Sequence, residues 1–175
     1  MAVTTDIVAS YRNPRAVVAR RIGPEVREDR ALAILMAACL LVFVAQWPAA
    51  AREAHLAMLA ARAAGTPPAE LPGLQGLLAG RLFATLFLLP LILYALAGAS
   101  HLAARAFGGR GTYYAARVAL FWSFLATTPL MLLQGLIAGF IGPGPAMTAS
   151  GVAVLAVFLY LWINGMIVAE RGDAG

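Results

Sequence analysis

Apolar residues gather into four long blocks along this chain, separated by short polar or Gly/Pro-rich breaks. Residues 31–51, 82–101, 118–141 and 146–169 contain no Asp, Glu, Lys or Arg. A helix rises ~1.5 Å per residue, so about 20 residues match the ~30 Å hydrocarbon core of a bilayer. Lipid offers the backbone no hydrogen bonds, so each crossing must be helical or part of a closed barrel. The two-residue alternation of barrel strands is absent. The pattern predicts an all-α, polytopic transmembrane helical bundle of four spans. It forms one domain over residues 31–171, behind a lead-in of residues 1–30.

The breaks fit that division. Residues 52–73 hold three prolines and two glycines. Residues 52–64 either extend the first helix or lie on the membrane surface, and 66–73 make the turn. Residues 102–117 form a short basic loop, and 142–145 (GPGP) a tight turn. Pro90 and Pro129 lie inside spans, and Pro48 lies near the end of the first. Each removes a backbone donor and tends to kink its helix. The third span, with Thr127, Thr128 and Pro129 followed by Gln134, is expected to be kinked or split into two half-helices.

In the lead-in, Ile7, Val8, Tyr11, Val18 and Ile22 share one helical face, and Arg12, Arg15, Arg20 and Arg21 populate much of the rest. Pro14 is suited to open a second helix. The segment reads as an amphipathic helix in the headgroup layer, the alternative being a loosely ordered basic leader. The first apolar run is too long for a signal-peptide core, so it reads as a retained span.

Composition agrees: 62% of residues are hydrophobic and 12% charged, where a soluble domain is nearer half and a quarter. That excludes a disordered tail and a disulfide scaffold; Cys39 has no second cysteine to pair with. All 13 basic residues are arginine, and the lysine-free, alanine-rich usage suggests a bacterial genome. The arginines flank apolar segments rather than forming a basic stripe, so the expected partner is the bilayer with its anionic headgroups and not nucleic acid. Expected headgroup contacts are Arg12, Arg15, Arg20, Arg21, Arg81, Arg105, Arg110 and Arg117. Four spans place ten arginines on the side of the termini and three (Arg52, Arg62, Arg81) on the other. The positive-inside rule then puts both termini in the cytoplasm, here of a bacterial inner membrane.

Chemistry is sparse. Intramembrane ionisable residues usually mark function, and the four span cores carry no Asp, Glu or Arg. His55 and His101 are far apart and lack ligand spacing. Glu25, Glu28 and Asp29 read as acids near the positive end of the first span's dipole. Ser10, Ser100, Ser123 and Ser150 lack a nucleophile-elbow setting. No catalytic, cofactor or metal site is predicted. Uncharged polar residues in the spans are Gln46, Thr85, Ser123, Thr127, Thr128, Gln134 and Asn164. They either line a pore or bond between helices and to carbonyls freed at Pro129. Gly76, Gly80 and Ala84, and Gly135 and Gly139, are spaced for close helix contact, within the bundle or with another protein or a second copy.

Gly111 to Arg117 (GTYYAAR) leads into an apolar run, a Thr127-Thr128-Pro129-Leu130 break follows, then residues 135–144 (GLIAGFIGPG) and a span ending Trp162 to Glu170 (WINGMIVAE). This order resembles the Yip-domain family of multi-span membrane proteins, as does Asn13-Pro14-Arg15 before the first span. The resemblance implies a non-enzymatic role in membrane organisation. It also implies a fifth span that this chain, stopping at Gly175, does not show. The expected function is a membrane-organising scaffold or accessory subunit. The alternative is a carrier or channel for a small or lipid-like solute, built on the kinked third span.

Overall fold

The computed structural model describes residues 3–65 and 73–171, and the part of the expected turn at 66–72 lies outside it. Among the described residues all regular structure is helical: α1 (Val3–Arg12), α2 (Pro14–Ile22), α3 (Glu28–Ala45), α4 (Trp47–Ala64), α5 (Leu74–Phe83), a π-helical turn (Ala84–Leu88), α6 (Leu89–Ala106), α7 (Tyr113–Phe140) and α8 (Pro145–Ala169). Four helical stretches are long and apolar enough to cross a membrane: Glu28–Ala64, Leu74–Ala106, Tyr113–Phe140 and Pro145–Ala169. Their outward faces are apolar, with Phe87 65%, Leu91 71% and Val152 62% exposed. A water-soluble fold would bury such a belt.

The helices outrun the charge-free blocks. The first stretch continues through Arg52, Glu53 and Arg62 to Ala64, because residues 49–64 are mostly strong helix formers. It ends at Gly65, whose φ of 69° is the left-handed value glycine accepts most readily. Pro48 marks the junction at Gln46 between α3 and α4. In the second stretch, Pro90 comes two residues after the π-helical turn, where the Leu89 N–H reaches back to the Ala84 carbonyl. A widened turn relieves the clash a proline ring makes with the turn before it.

The third span differs from expectation in one respect. α7 passes through Pro129 as a single uninterrupted helix, so two half-helices do not form. Its first half is the centre of the fold: nearly every residue from Tyr114 to Thr128 is buried, Trp122 and Phe121 included. α3 and α8 pack against it most extensively, with α6 on a further side. α1 and α2 also pack on it, and Val17, Val18 and Ile22 join the same core. The lead-in is thus continuous with the membrane bundle. Glu28 meets Arg117 at one end of α3 and α7, and Ala45 meets Gly135 at the other, so these two spans run parallel. The hairpin α1–α2 and the end of α8 lie at the same end of the bundle.

Candidate functional site

Proline at 129 leaves the Leu125 carbonyl, four residues back, without its helical donor. Thr128 Oγ1 donates to that carbonyl at 2.8 Å. Thr127 Oγ1 donates to the Ser123 carbonyl (2.8 Å) and Ser123 Oγ to Ala119 (2.7 Å). All three hydroxyls are buried and point back into their own helix. Thr85 does the same towards Arg81.

Gln134 and Gln46 share a cavity of about 270 Å³ towards the far end of the bundle. Asn164 is elsewhere: it accepts from Arg15 Nε at 2.8 Å and donates to the Tyr160 carbonyl. Gln134 faces Gly151 of α8, and Asn164 lies thirteen residues further along that helix, roughly 20 Å away. Gln134 and Asn164 therefore do not share one cavity.

Gly135 and Gly139 are contact points. A Cβ on Gly135 would fall 2.8 Å from the Ala45 carbonyl carbon, and one on Gly139 2.7 Å from the Pro48 carbonyl carbon. These close approaches let α7 meet α3 and α4 backbone to backbone. Gly76, Gly80 and Ala84 are exposed and face away from the bundle.

At the end of the bundle where α8 finishes, α1 and α2 form a hairpin fixed by a polar network. Asn13 caps α2 through Ala16 N, and Pro14 opens it. Asp6, 3% exposed, receives Arg20 Nη2 at 2.6 Å and Arg21 Nη2 on its other oxygen. Ser10 Oγ donates to the Asp6 carbonyl and accepts from Trp122 Nε1 at 2.9 Å. The Arg21 guanidinium lies 4.2 Å over the Trp122 ring. Tyr11 Oη donates to the Ala126 carbonyl of α7 at 2.7 Å, and burial pushes its pKa up.

Beside the hairpin, His101 of α6 and Glu170 at the end of α8 form a buried pair, Nδ1 to Oε1 2.7 Å. Glu170 Oε2 also accepts from Gly111 N, and its carbonyl from Arg110 N. One carboxylate thus joins α6, α8 and the loop between α6 and α7. Next to it an apolar groove of about 660 Å³ opens between α6 and α8, lined among others by Leu96, Phe107, Trp162 and Met166.

The sequence matches the Yip1 domain over residues 8–173. The chain belongs to the Yip1 domain family. That family consists of multi-span membrane proteins, in keeping with the four apolar stretches. Comparison with curated proteins and with solved structures returns no match. The match begins inside α1, after Asp6, and includes Glu170, so in this Yip1 domain it covers α2, most of the hairpin and the His101–Glu170 pair.

The remaining predicted contact residues fall into two groups. Arg12, Arg105 and Arg110 are exposed. Arg117 pairs with Glu28 at 2.7 Å, and Arg81 bridges the Gln46 carbonyl (2.8 Å) and Glu53 (2.6 Å). Arg81 therefore pins α5 to the α3–α4 junction. Ser123 and His101 have separate partners, Ala119 and Glu170. Asp29 pairs with Arg27. Sequence reasoning missed the role of Asp6 and the pairing of His101 with Glu170, since their partners lie 14, 15 and 69 positions away.

Proposed function

We propose that this Yip1-domain protein is a non-catalytic scaffold or accessory subunit of a bacterial inner membrane, with both termini cytoplasmic, acting through helix–helix and lipid contacts. The observation that carries this reading is how the internal polar groups are used. Ser123, Thr127, Thr128 and Thr85 bond to their own helices, and Asp6, His101 and Glu170 tie helices together. Such bonds hold a bundle in lipid. The outward faces meanwhile offer contact surface, including the small-residue stripe Gly76, Gly80 and Ala84. The ten-to-three arginine asymmetry supports the orientation.

The test is cross-linking in native membranes from a photoreactive residue at position 84, with and without Gly80→Leu. A protein adduct, to another chain or a second copy, that Gly80→Leu abolishes is expected. Adducts to lipid alone, or an adduct indifferent to Gly80→Leu, overturn the reading of that stripe as a partner face.

A further inference from the structure

We propose that Arg20, Arg21 and Arg30, arranged around Asp6, form a binding site for a phosphate group. The four residues border a cavity of about 180 Å³ at the base of the first span. Three arginines and one carboxylate line it, so the cavity keeps a surplus of positive charge.

The site is held in place from below. Asp6 is fixed through Ser10 to Trp122, and Arg21 is stacked on the same indole. Both Asp6 oxygens are occupied, one by Arg20 and one by Arg21. Asp6 therefore orients the two guanidinium planes and repels a second anion less than a free carboxylate would. Two groups are left over. Arg21 Nε is buried without a hydrogen-bond partner. Arg30 has no side-chain hydrogen bond or ion pair among the described residues, although Arg20 and Arg21 on the same cavity do. Arg30 is exposed and Arg20 half-exposed, so their guanidiniums are the donors an anion in the cavity meets.

Phosphate is the anion the geometry favours. Guanidinium forks match its oxygens in pairs, and several arginines around one phosphate share its charge. Arg30 directly precedes the charge-free part of the first span, at the level where phospholipid headgroups lie. The phosphate can come from a lipid headgroup or from solution. The inference deepens the scaffold reading, by naming lipid chemistry at the hairpin, and rests on it only for the lipid source.

The test uses the full chain in nanodiscs of phosphatidylcholine, with or without phosphatidic acid, and in detergent with inorganic phosphate. Bound lipid is read by native mass spectrometry and phosphate by phosphorus NMR. Arg30→Gln is expected to weaken binding about tenfold, the loss of one charge-assisted contact, without moving the thermal midpoint. Arg12→Gln, exposed on the same hairpin, is expected to change it little. Retention of phosphatidic acid without inorganic phosphate binding identifies the headgroup as the source; binding of both identifies free phosphate as sufficient. Equal loss in Arg30→Gln and Arg12→Gln, or no loss in either, overturns the site. Either result leaves the cross-linking at position 84 untouched, so the two readings fail separately.

Discussion

The hydroxyl of Thr128 stands in for the N–H that Pro129 lacks, and a double-mutant cycle tests this directly. Thr128 is 1% exposed and its Oγ1 donates to Leu125 at 2.8 Å. Thr128→Val keeps the shape and removes that donor. In lipid the Leu125 carbonyl then has neither its helical partner nor water. Hydrogen bonds in bilayers average ~0.6 kcal/mol with a maximum near 1.7. A carbonyl already orphaned by proline belongs at the upper end, so the expected cost is about 1–1.7 kcal/mol. In a Pro129→Ala background, residue 129 has an N–H to give Leu125, and the Thr128→Val cost should fall below about 0.5 kcal/mol. The coupling of roughly 1 kcal/mol is about fivefold in the unfolding constant. Steric-trapping or SDS-titration unfolding in bicelles resolves such a difference. Equal cost in both backgrounds would refute the idea that the threonine replaces the missing donor.

Gly135→Ala and Gly139→Ala each drive a Cβ into the backbone of α3 or α4. Each should cost about 1–3 kcal/mol, seen as a lower melting midpoint in detergent; an unchanged midpoint would show that the helices do not meet there. Glu170→Gln weakens the tie to His101 and to Gly111 N. It should cost about 1–3 kcal/mol and speed amide exchange at Gly111, and unaltered exchange would count against the clamp. Tyr11 has its pKa raised above 10.0 by burial. Its bond to Ala126 is whole below that value and is lost as pH climbs through the raised one. The Tyr11→Phe difference in phenolate absorbance should place Tyr11 as a late-titrating tyrosine, and an ordinary titration would contradict its packing.

The four spans were legible because lack of charge over twenty residues is a one-dimensional signal, set by the thickness of lipid. Helix ends were less so. Arg52, Glu53, Arg81 and Arg105 end a charge-free block but not a helix, since charges are tolerated where a helix leaves the hydrocarbon. The continuity of α7 was hidden for a local reason: proline argues for a break, and only the position of Thr128 Oγ1 on Leu125 shows how the helix passes it. The site residues divide similarly. Close packing at Gly135 and Gly139 could be anticipated from spacing, while the outward face of Gly76 and Gly80 could not be told from it. The His101–Glu170 pair joins residues 69 positions apart, which no local pattern encodes. Asp6 looks incidental within a basic leader until Arg20 and Arg21 fold back onto it.

That folding back changes what the lead-in is for. An amphipathic helix resting on a membrane would leave α7 complete without it. Here α1 and α2 supply one wall of α7: Ser10 holds Trp122, Tyr11 holds Ala126, and Val18 lies against Gly165 beside Ala119. Its contribution depends on the medium that would replace it. If lipid replaces the hairpin when it is removed, only polar bonds are lost. Those from Ser10, Tyr11 and Arg15 would then come to roughly 2 kcal/mol at ~0.6 each. If water replaces it, Val17, Val18 and Ile22, all 3% exposed or less, add roughly 5–9 kcal/mol of lost burial as an upper bound. Gly165 lies four residues from the end of α8, about 6 Å along the axis, and the hairpin carries four arginines. Val18 thus sits near the membrane edge, where water reaches, while Tyr11 extends roughly 12 Å into the charge-free block, to Ala126. Deleting residues 1–22 should therefore lower unfolding stability in bicelles by about 5 kcal/mol or more. A loss under about 2 kcal/mol would mean that the hairpin merely rests on the bundle.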